Sequence, residues 1–549
     1  MPDEFSMYYA GLLDGVYDCV DRIVLNAYFR LGQSPGGFRT WWRILEGSDD
    51  NLDNAHLMRM AGRLSRRVHA HAKAHQIPLI HCAQDERKHE IAEQYLPQDA
   101  EFVGVFLILV SRAPAPVWDV QCSKSGKIVN LARKKPQPWV NHYSFHIMDP
   151  DWGHVTIKMC GHPPFSAQII LNGHEYVACQ ARKEGIQFTK EGNCFTQVSE
   201  PARLAHVAET LWAPDAIGRL RQVCERWVYS ACLCFALDLA EQERTGFRYD
   251  YSVYQGEYSR NLLFTRGGVM DQVFQGVVDR TRSLLDVKTL KTIFGSKRRP
   301  LRRQGQKSPR CEVVVERPAY DLTVFKLHFG KLTAKVYTKG VHVLRIEIIV
   351  HNANALSCGR SLPKFPDIIV HLKNILNRFL AVLRCVDVAF ISEAHLDEWS
   401  TPSRVGQTRI GGLDTNKPRT RAVMEAVIAL AAAPQAFSLC DLAKQVRTIM
   451  GIPVEKYSSR QAAYDLKKLR GKNLVRKIDK SRRYEAVPEG LQSMAAWLVL
   501  REKVIKPVLA GAGKPRRGSK PKQQSLIDAH YETIQVAMRA LFQVIGIAA

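Results

Sequence analysis

The sequence predicts a multidomain chain of the α/β and α+β classes. The expected parts are a small N-terminal parallel α/β sheet, a central mixed α+β region with an antiparallel meander, and a C-terminal winged helix-turn-helix. Three observations lead there. At 549 residues the chain exceeds one ordinary core, which points to about three domains. Apolar residues recur with strand period in some segments and with helix period in others. Positive charge is concentrated towards the C-terminus, on a pattern of three helices and a basic hairpin.

The first domain is expected at 14–122. Arg22–Phe29 (RIVLNAYF) reads as a strand, and Ala55–His75 as a basic helix with Leu57, Met60, Ala61, Leu64 and Val68 on one face. Ile77–His81 reads as a short strand, Glu86–Tyr95 as a helix and Val103–Val110 (VGVFLILV) as a central strand. That βαβαβ order suggests parallel pairing. Ser123–Pro138 is rich in Lys, Ser and Pro and reads as a linker. The second domain, 139–290, opens with strands at Tyr143–Met148 and His154–Met159. Helices follow at Gly173–Lys183, Ala202–Leu211 and Ile217–Leu239.

Segment 291–310 holds eight Lys/Arg and no acid. It reads as a solvated basic loop whose Arg298, Arg299, Arg302 and Arg303 suit phosphate contact. Across 311–397, strands at Cys311–Glu316, Leu322–Phe329, Leu332–Tyr337 and Val343–Val350 are separated by the turn signals Phe329-Gly330-Lys331 and Lys339-Gly340. They form an antiparallel meander, followed by a helix at Asp367–Leu383. The winged helix is expected at 415–500, with helices at Arg421–Ala433, Leu439–Thr448 and Arg460–Arg470, the second and third capped by Ser438 and Ser458. Leu474–Ile478 and Arg482–Ala486 pair as the wing. The arm at 511–525 is basic and expected to be disordered.

Charge sets the functional expectation. Lys plus Arg total 78 against 53 Asp plus Glu, a net +25. From Arg404 to Tyr484 there are 18 Lys/Arg against 6 Asp/Glu, about half of that surplus. Such a surface attracts phosphate backbones through counterion release. Recognition candidates are Arg460, Gln461, Tyr464, Lys467 and Lys468 on the third helix, with Arg476, Lys477, Arg482 and Arg483 on the wing. Nucleic acid is therefore the expected partner, DNA favoured over RNA. No run approaches the roughly 18 apolar residues that span a bilayer, so no membrane partner is expected. The N-terminus lacks the pattern of a signal peptide. The 13 Cys are scattered without a CxxC pair, which suggests reduced thiols in a cytoplasmic setting. Phosphate-binding GxxxxGK[ST] loops, protein-kinase motifs and GxSxG are absent from the sequence, so no nucleotide cofactor is expected.

Candidate chemistry lies in the block 139–177, which holds His142, His146, His154, His162 and His174. His142 and His146 share one strand face by the period of two, and Asp149 follows in the next turn. His142, His146 and Asp149 could hold Mg or Mn. With His174 and Glu175 they could supply base activation and charge neutralisation for phosphodiester hydrolysis. The structural alternatives are a cap at Asn172–Glu175 and a simple turn at Asp149–Gly153. A second set is Lys335, Tyr337 and Lys339 on one strand facing Arg345 and Glu347 on the next. It reads as a nucleic-acid platform or a salt-bridged solvent face. Glu257, Ser259 and Arg260 (GEYSRN) read as a polar helix surface.

The motifs LNGHE (Leu171–Glu175) and GNCF (Gly192–Phe195), with the KVYTKG and LRIE strands, resemble a group of bacterial open reading frames that occur in many genomic copies. The resemblance covers most of residues 14–400. It implies a mobile-element protein and transfers no catalytic residue, because that group has no established activity. A KxYxK strand beside an LRxE strand is also similar to replication initiators of phages and plasmids, although their paired metal-binding histidine motif is absent here. Two functional expectations result. One is a mobile-element nucleic-acid-binding protein with a metal-dependent nuclease centre. The other is a non-enzymatic RNA- or DNA-binding protein, acting as a regulator or as the partner of a structured noncoding RNA.

Overall fold

A computed structural model describes residues 4–83, 86–124, 128–284, 310–316, 322–329, 331–387, 393–431, 436–478 and 481–501, with a few isolated positions up to 540. The basic loop carrying Arg298, Arg299, Arg302 and Arg303 and the arm at 511–525 lie outside the described residues. The chain divides into two compact units. One comprises Tyr8–Phe274 with Glu312–Leu376, and the other Met1–Met7, Gln275–Cys311 and Asn377–Ala549. Both mix helices and strands, and no described helix is long and apolar enough to cross a membrane.

The first unit is built on one eleven-stranded sheet. Its strands in chain order are β1 (Leu13–Phe29), β2 (Leu79–His81), β3 (Gly104–Pro114), β4 (Trp139–Asp149), β5 (Gly153–Cys160), β6 (Ala167–Asn172), β7 (Tyr249–Phe264), β8 (Arg310–Glu316), β9 (Leu322–Phe329), β10 (Leu332–Lys339) and β11 (Val343–Val350). Their spatial order is 8-9-10-11-7-1-6-5-4-3-2. Among the described pairings only β2–β3 is parallel. A separate N-terminal parallel sheet therefore does not form. The strand expected at Arg22–Phe29 is the second half of a 17-residue strand in mid-sheet, antiparallel to β6 and β7. The expected boundary at 122–139 fails for a related reason. Ile128–Arg133, read as linker, pairs with Trp118–Cys122 as a hairpin, and β3 pairs with β4 across that boundary.

β1 buries side chains on both faces, Tyr17, Cys19, Val20, Ile23 and Leu25 among them, and its Asp18 and Asp21 are ion-paired within the fold. A bulge between Val20 and Ile23 interrupts its pairing with β7 at Asp21, which is where a strand can re-aim a side chain. The Gly173–Lys183 helix follows β6 and packs on β1. Gly173 permits that approach, since a Cβ there would stand 1.8 Å from the Val20 carbonyl oxygen. The meander β9–β10–β11 forms in the expected order. The GEYSRN segment is not helical but lies within β7, where alternation sends Glu257, Ser259 and Asn261 to one face and Tyr258 and Arg260 to the other.

In the second unit, helices at Pro418–Ala431, Leu439–Met450 and Ser459–Gly471 precede an antiparallel pair, Val475–Lys477 with Tyr484–Ala486, and a helix at Pro488–Leu500. Ser438 and Ser458 each form a reciprocal cap with the residue three positions on, Asp441 and Gln461. The three helices bury Met424, Val427, Leu442, Val446, Leu466 and Leu469 in one core. Arg419 clasps Asp465 with two hydrogen bonds of 2.8 and 2.9 Å, tying the first helix to the third.

Candidate functional site

The expected histidine centre does not assemble. His142 and His146 do share a face of β4, but each has its own local partner. His142 Nδ1 lies 3.2 Å from the Val140 carbonyl oxygen, and His146 Nδ1 lies 2.9 Å from His154 Nε2. Burial, with Lys158 beside it, lowers His142 to about 4. Burial, with His154 beside it, lowers His146 to about 3. Asp149 is consumed by structure. Its Oδ1 accepts from the backbone N–H groups of Asp151 and Trp152, and its Oδ2 accepts from Arg226 at 2.6 Å and Trp227 at 2.8 Å. His142, His146 and Asp149 therefore do not form one metal set. Glu175 is ion-paired with Lys190 at 2.5 Å.

His174 belongs to a different assembly, built from the strand ladder in mid-sheet. Cys19 pairs with Ser259, Ser259 with Glu347 and Glu347 with Lys335. One register step along, Tyr17, Asn261, Arg345 and Tyr337 line up in the same way. Directly opposed residues project to one face, so these two rows form a single polar surface. The KxYxK and LRxE strands do pair as expected, but the surface they form is interior. Arg345 is 0%, Glu347 2% and Tyr337 8% exposed. Neither a solvent face nor an open stacking platform for bases results.

Arg345 organises the centre. Its Nε donates to Asn261 Oδ1 at 2.7 Å. Its Nη2 donates to the Asn193 carbonyl at 2.7 Å and to His174 Nε2 at 3.0 Å, and lies 3.4 Å from Asp21 Oδ1. His174 Nδ1 stands 2.7 Å from the same Asp21 oxygen, in an approach too bent to count as a hydrogen bond. Burial first, and then Arg345, Lys190 and Lys339, hold His174 well below its ordinary value. The ring is therefore neutral, with Nε2 as acceptor. Asn193 Oδ1 accepts from Lys339 Nζ at 2.5 Å, and the Phe195 N–H donates to Tyr17 OH at 3.0 Å.

The quoted motifs converge here. LNGHE supplies the cap Asn172, whose side chain accepts from the His174 N–H, the close approach at Gly173 and the ring of His174. GNCF supplies Asn193 and the wall Cys194–Phe195. LRIE and KVYTKG supply Arg345, Glu347 and the three residues facing them.

Two carboxylates, Asp21 and Glu347, adjoin Arg345, and Glu257 stands near both of them. Burial, and then Glu347 and Asp21, raise Glu257 to about 7. Glu347 is raised by burial and by Asp21, while Lys335, 3.2 Å away, pulls the other way. Asp21 Oδ2 accepts from no N–H or hydroxyl group, and Asp21 is within carboxyl-to-carboxyl hydrogen-bond reach of Glu347. Grouped carboxylates with raised values share protons or bind a hard cation.

Among the described residues, Cys19, Asp21 and His174 are the group whose ligand atoms all lie within 4.8 Å of one another. They suit a metal poorly as arranged. The Cys19 thiol is pushed well up by burial, and Arg345 already occupies His174 Nε2. The oxygens of Asp21, Glu257 and Glu347 are of the donor type that suits Mg or Mn, but they do not gather within 4.8 Å of one another as arranged. Neither Asp21 nor Cys19 was expected from the sequence. The available signal was an acid inside an apolar strand, Asp21 directly before RIVL.

No protein-family model matches the chain, and no curated protein or solved structure matches it.

Proposed function

We propose that this chain is a nucleic-acid-binding protein of a mobile genetic element, with DNA its favoured ligand. In this reading its C-terminal helices and hairpin act as a winged helix on a duplex. The observation that carries the proposal is the cationic surface of that unit. Arg460, Lys477, Arg482 and Arg483 are exposed around the Ser459–Gly471 helix and the hairpin, together with Tyr464 at 53% exposure. Arg483 Nη1 also donates to the Ala436 carbonyl at 3.2 Å, and three other candidates are likewise engaged internally and contribute less. Gln461 Oε1 accepts from the Ser458 N–H, Lys468 Nζ donates to the Gly412 carbonyl, and Arg476 pairs with Glu485 at 2.7 Å. The mobile-element assignment rests on the resemblance carried by the LNGHE, GNCF, KVYTKG and LRIE motifs. Binding of labelled duplex DNA by the full chain, with and without Lys477→Ala and Arg482→Ala, tests the reading.

The second reading is metal-dependent phosphodiester cleavage, moved from the histidine block to Asp21, Glu257 and Glu347. The buried grouping of these acids, with Glu257 and Glu347 raised and Asp21 beside Glu347, favours it. The reading requires Mg or Mn to draw these carboxylates closer than they now stand, and Lys335, 27% exposed, would neutralise developing charge. In a cleavage assay on single- and double-stranded DNA and RNA with Mn, Asp21→Asn and Glu347→Gln should abolish cutting while His142→Ala retains it. Absence of cutting on every substrate, with binding retained, would favour the non-enzymatic reading.

A further inference from the structure

A second polar row crosses the sheet away from the Arg345 centre. Ser144 pairs with Lys158, Lys158 with Gln168, Gln168 with Asn26 and Asn26 with Ser252. Opposed residues share a face, and Gln168 Nε2 donates to Asn26 Oδ1 at 3.0 Å. The last four of these residues line a cavity of about 560 Å³. Arg133, His142 and Arg360 line it too.

The charge of this cavity is one-sided. Three cations and a histidine face it, and none of its lining residues is Asp or Glu. Lys158 is half-buried and makes no hydrogen bond or ion pair with any described residue. Arg133 is fixed from behind. It donates to the Pro116 carbonyl at 2.6 Å and the Gly32 carbonyl at 2.8 Å, and its guanidinium lies 3.8 Å from the Trp118 ring centroid. Half-burying Lys158 and Arg133 without a counter-charge is costly unless an anion completes the site. Burial and Lys88 lower Lys158, and Lys158 in turn depresses His142, as expected for a positive pocket awaiting negative charge. The rest of the lining includes Tyr28, Pro114 and Pro164, flat and apolar surfaces suited to a ring. The volume lies within the range of small-molecule sites.

We propose that this cavity binds a nucleoside phosphate monoester, with the phosphate on Lys158, Arg133 and Arg360 and the amides of Asn26 and Gln168 fixing its orientation. The phosphate could belong to a free mononucleotide or to the 5′ end of a strand. The proposal does not depend on the winged-helix reading.

Calorimetric titration of the full chain with adenosine 5′-monophosphate and with adenosine tests it. A parallel titration compares one oligonucleotide in its 5′-phosphorylated and 5′-hydroxyl forms. Lys158→Met keeps the side-chain length, and Arg360→Gln changes an exposed residue, so neither should disturb folding. The expected result is at least tenfold tighter binding of the monophosphate than of adenosine, equivalent to about 1.4 kcal/mol, with that advantage lost in both variants. A tenfold preference for the phosphorylated strand alone, also lost in both variants, would support the site and assign the phosphate to a strand end. Oligonucleotide binding through other surfaces is common to both forms and cancels in the comparison. Equal affinities with and without phosphate, or a preference indifferent to both variants, overturn the proposal.

Discussion

Replacing Arg345 with Met removes the guanidinium while keeping much of its apolar stem. The change deletes hydrogen bonds to Asn261, Asn193 and His174 and leaves Asp21, 2% exposed, without its cation. Breaking a buried pair from one side costs about 3–5 kcal/mol. The chain has two units, so a single unfolding midpoint is not a clean measure. Amide hydrogen exchange in β7 and β11 reads the loss locally. A cost of that size lowers protection by roughly 10²–10³-fold or more. Arg345→Lys should recover only part of it, because an ammonium cannot reproduce the fork. Asp21→Asn in the Met background should also recover part, by removing the stranded charge. If protection in the Met variant falls less than tenfold, Arg345 does not organise the centre and the reasoning fails.

Other outcomes follow from the same geometry. Gly173→Ala drives a Cβ to within 1.8 Å of the Val20 carbonyl. It should lower local stability by about 2–4 kcal/mol, read by amide hydrogen exchange in β1 and the Gly173–Lys183 helix, whereas Gly218→Ala, in a helix with open space at the Cβ position, should not. Glu257 takes its proton more tightly in the fold, at about 7 against an ordinary 4.5. Its contribution is therefore complete below about pH 4.5 and is lost as pH rises towards 7. Glu257→Gln should flatten stability over that window, and an unchanged slope would contradict the assignment. His142 and His146, lowered to about 4 and about 3, act in the opposite sense. They stabilise above about 6.5 and lose that contribution as pH falls through their folded values, so His146→Phe should soften acid unfolding. Native thiol labelling should reach the exposed Cys122 and Cys440 and spare the buried Cys19, Cys194, Cys224 and Cys232.

Local signals in the sequence located many elements. The Gly173–Lys183 helix was legible to both ends because Asn172 caps it and its apolar positions keep helix period. The pairing of Lys335 with Glu347 and of Tyr337 with Arg345 was legible because short turns fix the register of neighbouring strands. What covers that face was not. The Asn193 carbonyl that seats on Arg345 comes from 152 residues earlier in the chain, and nothing local marks it. β7 was misread because Glu257, Ser259 and Arg260 look like a polar helix surface when their partners are unknown. Arg260 pairs with Asp18, at a separation of 242 residues. The histidine block looked like a site because enrichment along the chain resembles proximity. Its members diverge in space because Asp149 closes a turn against Arg226 and Trp227, while Gly173 carries His174 onto β1. Asp21 was passed over because the bulge that directs it is invisible to a strict period of two.

The most direct test is the salt dependence of duplex DNA binding by the full chain, followed by fluorescence anisotropy. The expected result is tight binding at low salt, with log K falling linearly with log salt. Lys477→Ala and Arg482→Ala should each reduce that slope by about 1. Failure to bind DNA or RNA at low salt, or a slope unchanged by both substitutions, would contradict the account.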